Sequence, residues 1–337
     1  MAREADNPCL GWFARLALAA NNPLNPMNLV FAGTPLFAVP TLETLVEAGH
    51  HIRLVVTQPD RPRGRGLELT PSPVKQVALS LGLPLLQPDK IRANEEFRAQ
   101  LTALKPDAVI VVGYGRLIPQ WMIDLPSLGN LNVHASLLPK YRGAAPIQWA
   151  IAEGEFVTGV TTMRIDAGLD TGDILMQREL PIAAEDTSIT LAPKLAAMGA
   201  ALMAETLKDL EAGTLKARPQ DHARASMAPI LRKQDGQIDF RRPAPEIWNR
   251  VRGFQPWPGA FTTFRGKNLH VWAARPVEAE VPTGTIKMEG HLPLVGCGAH
   301  TSLELVEVQV EGKRRMSAQD FVNGYGPHDG EQLGSAQ

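Results

Sequence analysis

Asn132 and His134 stand one residue apart at the end of an apolar run, "LGNLNVH" (128–134). If that run is a strand, alternate side chains share a face, and the two project together. An amide N–H can stabilise a developing oxyanion, while an imidazole can take or give a proton near neutral pH. Two polar side chains leaving an apolar strand together are costly in a core and useful on the wall of a crevice. A histidine that merely caps the strand end and bonds to backbone is the competing explanation. The following segment weighs against it, because "SLLPKYRGAAP" (136–146) carries Pro139, Gly143 and Pro146 and must be irregular as it crosses the same strand end. A second loop, "RIDAGLDTGDIL" (164–175), brings Asp166, Asp170 and Asp173. A carboxylate beside His134 would favour its protonated form, whereas three neighbouring acids could instead hold Mg²⁺ or Ca²⁺, although their spacing is not that of an EF-hand. The residues by themselves leave that choice open.

Positioning such a set takes a scaffold, and the chain before it has a regular texture. "NLVFAG" (28–33), "IRLVVTQ" (52–58) and "DAVIVVGYG" (107–115) are nearly continuous in β-branched residues and leucine, the composition of parallel strands buried on both faces. Between them, residues 37–48, 72–81 and 93–104 show apolar residues at helical spacing. Strands alternating with helices of that length predict right-handed βαβ units. The fold class is therefore α/β, with a doubly wound, mostly parallel, Rossmann-like sheet. In such sheets ligands bind beyond the carboxyl ends of the strands, where His134 falls. A helix at 144–153, strands at 158–165 and 174–180 and a long helix at 188–211 complete a first domain over 27–212. Residues 213–236 are polar and basic without periodicity and read as a linker. From 237 to 325 one helix and several short strands predict a smaller β-barrel of the oligonucleotide-binding type. Residues 1–26 read as a disordered extension, since Glu4, Asp6 and Arg15 argue against a signal or transit peptide. Residues 326–337 read as a disordered tail.

The chain has 337 residues, 44% of them hydrophobic, enough for two cores. A net charge of −1 by itself points to neither nucleic acid nor a membrane surface. Its distribution says more: Lys208–Arg275 holds 13 basic against six acidic residues, a surplus of seven that leaves −8 elsewhere. Only Cys9 and Cys297 are present, which excludes a disulfide framework and a cysteine metal site and fits a cytoplasmic protein. No segment is long and apolar enough to span a bilayer, and a monomer is expected. "DRPRGRGLELTP" (60–71) places Arg61, Arg63 and Arg65 among prolines and glycines, a mobile cationic loop suited to a phosphate backbone or simply to solvent. "FAGTPLFAVP" (31–40) lacks the glycine fingerprint of dinucleotide binding. Trp248, Trp257 and Trp272 are expected in the second core rather than as base-stacking platforms.

Together these segments resemble the folate-dependent formyltransferases. Asn132, His134 and the following "SLLP" are common to that superfamily. "FAGTPLFAVP", "TQPDRPRGRG", "PSPVKQVA", "SLLPKYRGAAPIQWAI", "GLDTGDIL", "AEDTS" and "MSAQDF" look specifically like its methionyl-tRNA branch, with motifs from about Met27 to about Phe321. The resemblance implies that Asn132, His134 and Asp170 are catalytic, Asp170 being selected by its place in "GLDTGD". It also implies that Ser136, Leu137, Leu138 and Pro139 line a site for 10-formyltetrahydrofolate. Arg61, Arg63 and Arg65 would lie in an insertion that meets initiator methionyl-tRNA, helped by the basic second domain, and no metal is expected. A formyltransferase for amino-sugar nucleotides shares the trio and is the nearer alternative. A tRNA-binding protein without activity is the remoter one.

Overall fold

The structure, a computed structural model, describes residues 25–63 and 68–334. Most of the expected N-terminal extension, together with Arg65, lies outside the described residues. The first half alternates strand and helix: β1 (Asn28–Gly33), α1 (Val39–Glu47), β2 (His51–Val56), a hairpin of β3 (Arg61–Arg63) and β4 (Glu68–Thr70), α2 (Pro73–Ser80), β5 (Leu85–Leu86), α3 (Glu95–Ala103), β6 (Ala108–Val112), α4 (Gln120–Ile123) and β7 (Asn130–His134). It continues as α5 (Pro146–Ala152), β8 (Val157–Arg164), β9 (Ile174–Pro181) and α6 (Ser188–Glu211). The sheet order is β5-β2-β1-β6-β7-β8-β9, parallel from β5 through β7. The order reverses beside β1, which pairs with β2 on one side and β6 on the other. β1 and β6 are buried almost throughout, which is why their sequences do not alternate.

Local signals set the helix starts. Ser72 accepts from Lys75 N ahead of Pro73 at the start of α2, and Asn94 accepts from Phe97 N ahead of Glu95 and Glu96 in α3. Val30, Val56, Phe97, Leu101 and Val109 belong to the core over this sheet. Two elements escape sequence pattern. β5 is only two residues long, and the arginine segment, read as an irregular loop, is a two-stranded hairpin at its base. Lys75 Nζ ties that base by bonding Asp60 Oδ2 at 2.6 Å and Gln87 Oε1 at 2.8 Å.

The later part contains α7 (Ala244–Gly253) and a six-stranded sheet. Its strands are β10 (Ala260–Phe264), β11 (Lys267–Val277), β12 (Ile286–Glu289), β13 (Leu292–Gly296), β14 (Ser302–Val310) and β15 (Met316–Ser317), followed by α8 (Ala318–Tyr325). The order is β10-β11-β14-β13-β12, with β15 on β14, and every pairing is antiparallel. β10 alternates buried and half-buried residues, the mark of a sheet with one face on a core. That core includes Ile247, Val251, Phe264, Leu303, Leu305 and Phe321. Trp248 packs against it, whereas Trp257 is 54% exposed, contrary to its expected place. Residues 326–334 also differ from the disordered tail read from sequence: Leu333 is 2% exposed within this core, and Gln332 pairs with Thr285.

Contacts divide the chain into two units, one of residues up to 133, 162–167 and 196–218, the other of 134–161, 168–195 and 219 onwards. This grouping does not follow the sequence boundary at 212.

Candidate active site

β7 ends at His134 because the chain beyond it turns away at once, through "SLLP" and the Leu138–Pro139 peptide, which is cis. Asn132 is half-buried on the same strand, and His134 is 5% exposed, so the strand end is less open than the sequence suggests. Alternation puts both side chains on one face. No side-chain hydrogen bond involves the Asn132 amide among the described residues, which leaves its N–H groups available to a ligand.

His134 Nε2 lies 2.8 Å from the carbonyl oxygen of Tyr141. A carbonyl can only accept, so Nε2 carries the proton and Nδ1 is the position at which the neutral ring gains one. Nδ1 faces Asp170 Oδ2 at 3.8 Å. That is an ion-pair distance once the ring is protonated, and it is too long for a hydrogen bond. Tyr141 therefore sets the ring's orientation and tautomer, and Asp170 places negative charge on the Nδ1 side. The Asp170 carboxylate is itself fixed, accepting from Gly143 N at 2.9 Å through the same Oδ2. Its backbone has φ +52°, a left-handed conformation that aspartate tolerates better than most residues but that still costs about 1 kcal/mol or more.

The other residues singled out from sequence are placed unevenly. Ser136 is fully buried, with its hydroxyl donated to the Lys140 carbonyl at 2.6 Å. Leu138 is buried as well, its N–H bonded to Thr161 Oγ1. Leu137 and Pro139 are the half-exposed members of that turn. Arg61 is exposed at the start of the hairpin and donates to Gln58 Oε1 at 2.9 Å. Arg63 is the last described residue of β3, and Arg65 lies outside the described residues. Asp166 and Asp173 do not join Asp170 in a metal site: among the described residues no group of three His, Cys, Asp or Glu could hold an ion. Of the basic pair in "KYR", Lys140 is exposed and paired with Glu155 at 2.8 Å, whereas Arg142 is 6% exposed. Arg142 bonds Gln220 Oε1 from Nη2 at 2.7 Å and from Nε at 3.1 Å. Sequence reasoning missed Gln220, and nothing in the spacing of the linker marks it.

An imidazole held by a backbone carbonyl, a fixed carboxylate facing it, and an amide without a side-chain hydrogen bond two residues earlier on β7 make a candidate for transfer of an acyl-type group. Residues 27–207 match the formyl transferase family and residues 230–326 its C-terminal domain. The chain is 67% identical over 308 residues to the methionyl-tRNA formyltransferase of Koribacter versatilis, covering 91% of this chain and 99% of that one. It is 58% identical to the enzyme of the same name from Acidobacterium capsulatum, covering 88% and 96%. Among solved structures, a sugar 3N-formyl transferase crystallised with dTDP and 5-N-formyl-THF shares the fold with a TM-score of 0.63, at 18% identity over 86% of this chain and 100% of that one. The fold is that of a formyltransferase. Within that class, the chain belongs to the methionyl-tRNA formyltransferase family.

Proposed function

We infer that this protein moves the formyl group of 10-formyltetrahydrofolate onto the α-amino group of methionine carried by initiator tRNA. The observation that carries the reading is the 67% identity to a methionyl-tRNA formyltransferase along nearly that enzyme's whole length. The donor supplies an activated formyl carbon. The chain's own groups fit that chemistry. The free Asn132 amide can hydrogen-bond the formyl oxygen as it gains charge. His134 Nδ1, kept unprotonated in the resting tautomer by the Tyr141 carbonyl, can accept the proton the amine loses as its nitrogen bonds the formyl carbon, and return it to N10 of the folate as the N10–formyl bond breaks. Asp170 stabilises the imidazolium that results, across the 3.8 Å gap. Holding two substrates side by side supplies much of the acceleration without any covalent enzyme intermediate.

Half-exposed Leu137 and Pro139 support a folate wall in the "SLLP" turn. The arginines of the 60–71 segment, Arg61, Arg63 and Arg65, meet the tRNA backbone, together with the basic stretch from Lys208 to Arg275. The domain division is part of the same proposal, with catalysis in 27–212 and tRNA binding in 237–325. The protein acts as a monomer in the cytoplasm. Among the described residues no helix is long and apolar enough to cross a membrane. Likeness to the sugar enzyme is confined to fold at 18% identity, and so favours tRNA as acceptor. The test is an assay with labelled formyl donor and two acceptors, charged initiator tRNA and an amino-sugar nucleotide. Label is expected in the aminoacyl-tRNA; label only in the sugar would overturn the reading.

A further inference from the structure

The segment from 220 to 228, read from sequence as part of a linker, bonds to the residues that face His134. Gln220 is 6% exposed, and its Nε2 donates to two carbonyls of the "GLDTGD" loop, Asp170 O at 2.9 Å and Gly172 O at 2.7 Å. Its Oε1 accepts from Nε and Nη2 of the buried Arg142 guanidinium. Arg142 has no carboxylate partner among the described residues; its remaining contact is His222 Nδ1 at 3.2 Å. Burying a guanidinium without a carboxylate is expensive, and what it accomplishes here is to anchor the Gln220 side chain that grips the backbone of Asp170. That backbone is in the left-handed region, a conformation that persists only where its surroundings over-determine it.

The same segment holds the other partner of His134. Ser226 Oγ accepts from Tyr141 N at 2.9 Å, Ser226 O accepts from Arg142 N at 2.9 Å, and Ala228 N donates to Arg142 O at 2.7 Å. Gly143 completes the fit. A Cβ there would lie 2.7 Å from Ala228 O, so only glycine admits the approach. Both groups that face the imidazole, the Tyr141 carbonyl and the Asp170 carboxylate, are thus fixed by residues far along the chain.

We propose that Gln220 is a positioning residue for Asp170, holding the carboxylate opposite His134 Nδ1 through the Asp170 and Gly172 carbonyls and braced by Arg142. The proposal rests on the catalytic reading of His134 and Asp170, and its test separates the two. Gln220→Ala is expected to lower kcat for formylation of charged initiator tRNA by about tenfold or more, the scale on which small misplacements act. KM for tRNA and for the folate donor should stay within roughly twofold. Gln220→Glu, which keeps the acceptor for Arg142 but loses the amide donors, should fold normally and show the same loss, so it decides the matter if the alanine variant is unstable. In an Asp170→Ala background the Gln220 substitutions should have no further effect on kcat, because a residue acting through Asp170 has nothing left to position. A loss that multiplies with that of Asp170→Ala, or wild-type kcat in Gln220→Glu, overturns the proposal while leaving Asp170 catalytic. Wild-type kcat in Asp170→Ala itself overturns the catalytic reading, and the proposal with it.

Discussion

At the scale of single residues, the proposed role of His134 as a base rests on how its two ring nitrogens are used. Its Nε2–H is spent on a carbonyl, so in the proposed mechanism the proton moves through Nδ1, which faces Asp170 at 3.8 Å. His134→Ala should therefore lower turnover by about 10² or more, the usual contribution of a general acid or base. Affinity for charged tRNA, measured by filter binding, should stay close to wild type. Near-normal turnover would remove His134 from the mechanism. Asn132 and His134 were legible because strand alternation alone brings them to one face. Asp170 was not: three aspartates in one loop are equivalent by spacing, and only the resemblance separated them. Arg142 and Gln220 were invisible for a different reason. They lie 78 positions apart, and no local period connects a loop to a linker across that separation.

Elements were legible to the extent that burial imposes a period. Parallel strands covered on both faces, such as β6 with five buried residues in a row, cannot be mistaken for polar loop. The hairpin in the arginine segment was hidden because prolines and glycines mask a pair of three-residue strands, and its tie through Asp60, Lys75 and Gln87 depends on side chains brought in from elsewhere. The start of α6 shows what one motif does structurally. In "AEDTS", Asp186 is 4% exposed and accepts from Ala183 N, Thr190 Oγ1 and Lys194 Nζ at 2.7 to 3.0 Å. Burial alone would raise its carboxyl, but the bonds from Lys194, Thr190 and Ala183 outweigh that and hold it below the usual carboxylate range. A carboxyl lowered in the folded state adds stability above its unfolded value, near pH 4, and that stability is lost as pH falls through the folded value. Melting curves should thus show Tm falling below about pH 4, and Asp186→Asn should be less stable at pH 7 with a shallower acid limb. An acid limb identical to wild type would mean that Asp186 contributes nothing to it.

At the scale of the whole molecule, the second core shows how a chain end can be misread. After Tyr325 the sequence is polar and has no period, which normally signals a tail, yet its one leucine decides otherwise. Leu333 enters the core shared by α7, α8 and the six-stranded sheet. Around it, Leu333 N bonds Gly284 O and Ile286 N bonds Glu331 O, both at 2.8 Å. Arg265 grips Glu331 with Nε and Nη2 at 2.6 and 3.0 Å. Arg265 is about half exposed and its pair with Glu331 contributes little after solvent screening, so the apolar side chain accounts for most of the strap's effect. Leu333→Ala should then cost about 2 kcal/mol or more and lower Tm by several degrees, while Glu331→Gln costs far less. Truncation after Tyr325 should match Leu333→Ala within about 1 kcal/mol, since the deleted bonds are exchanged for bonds to water at little net cost. The result that would reverse this assignment is a truncated protein as stable as the full chain, because a side chain that leaves a core without penalty was never part of it.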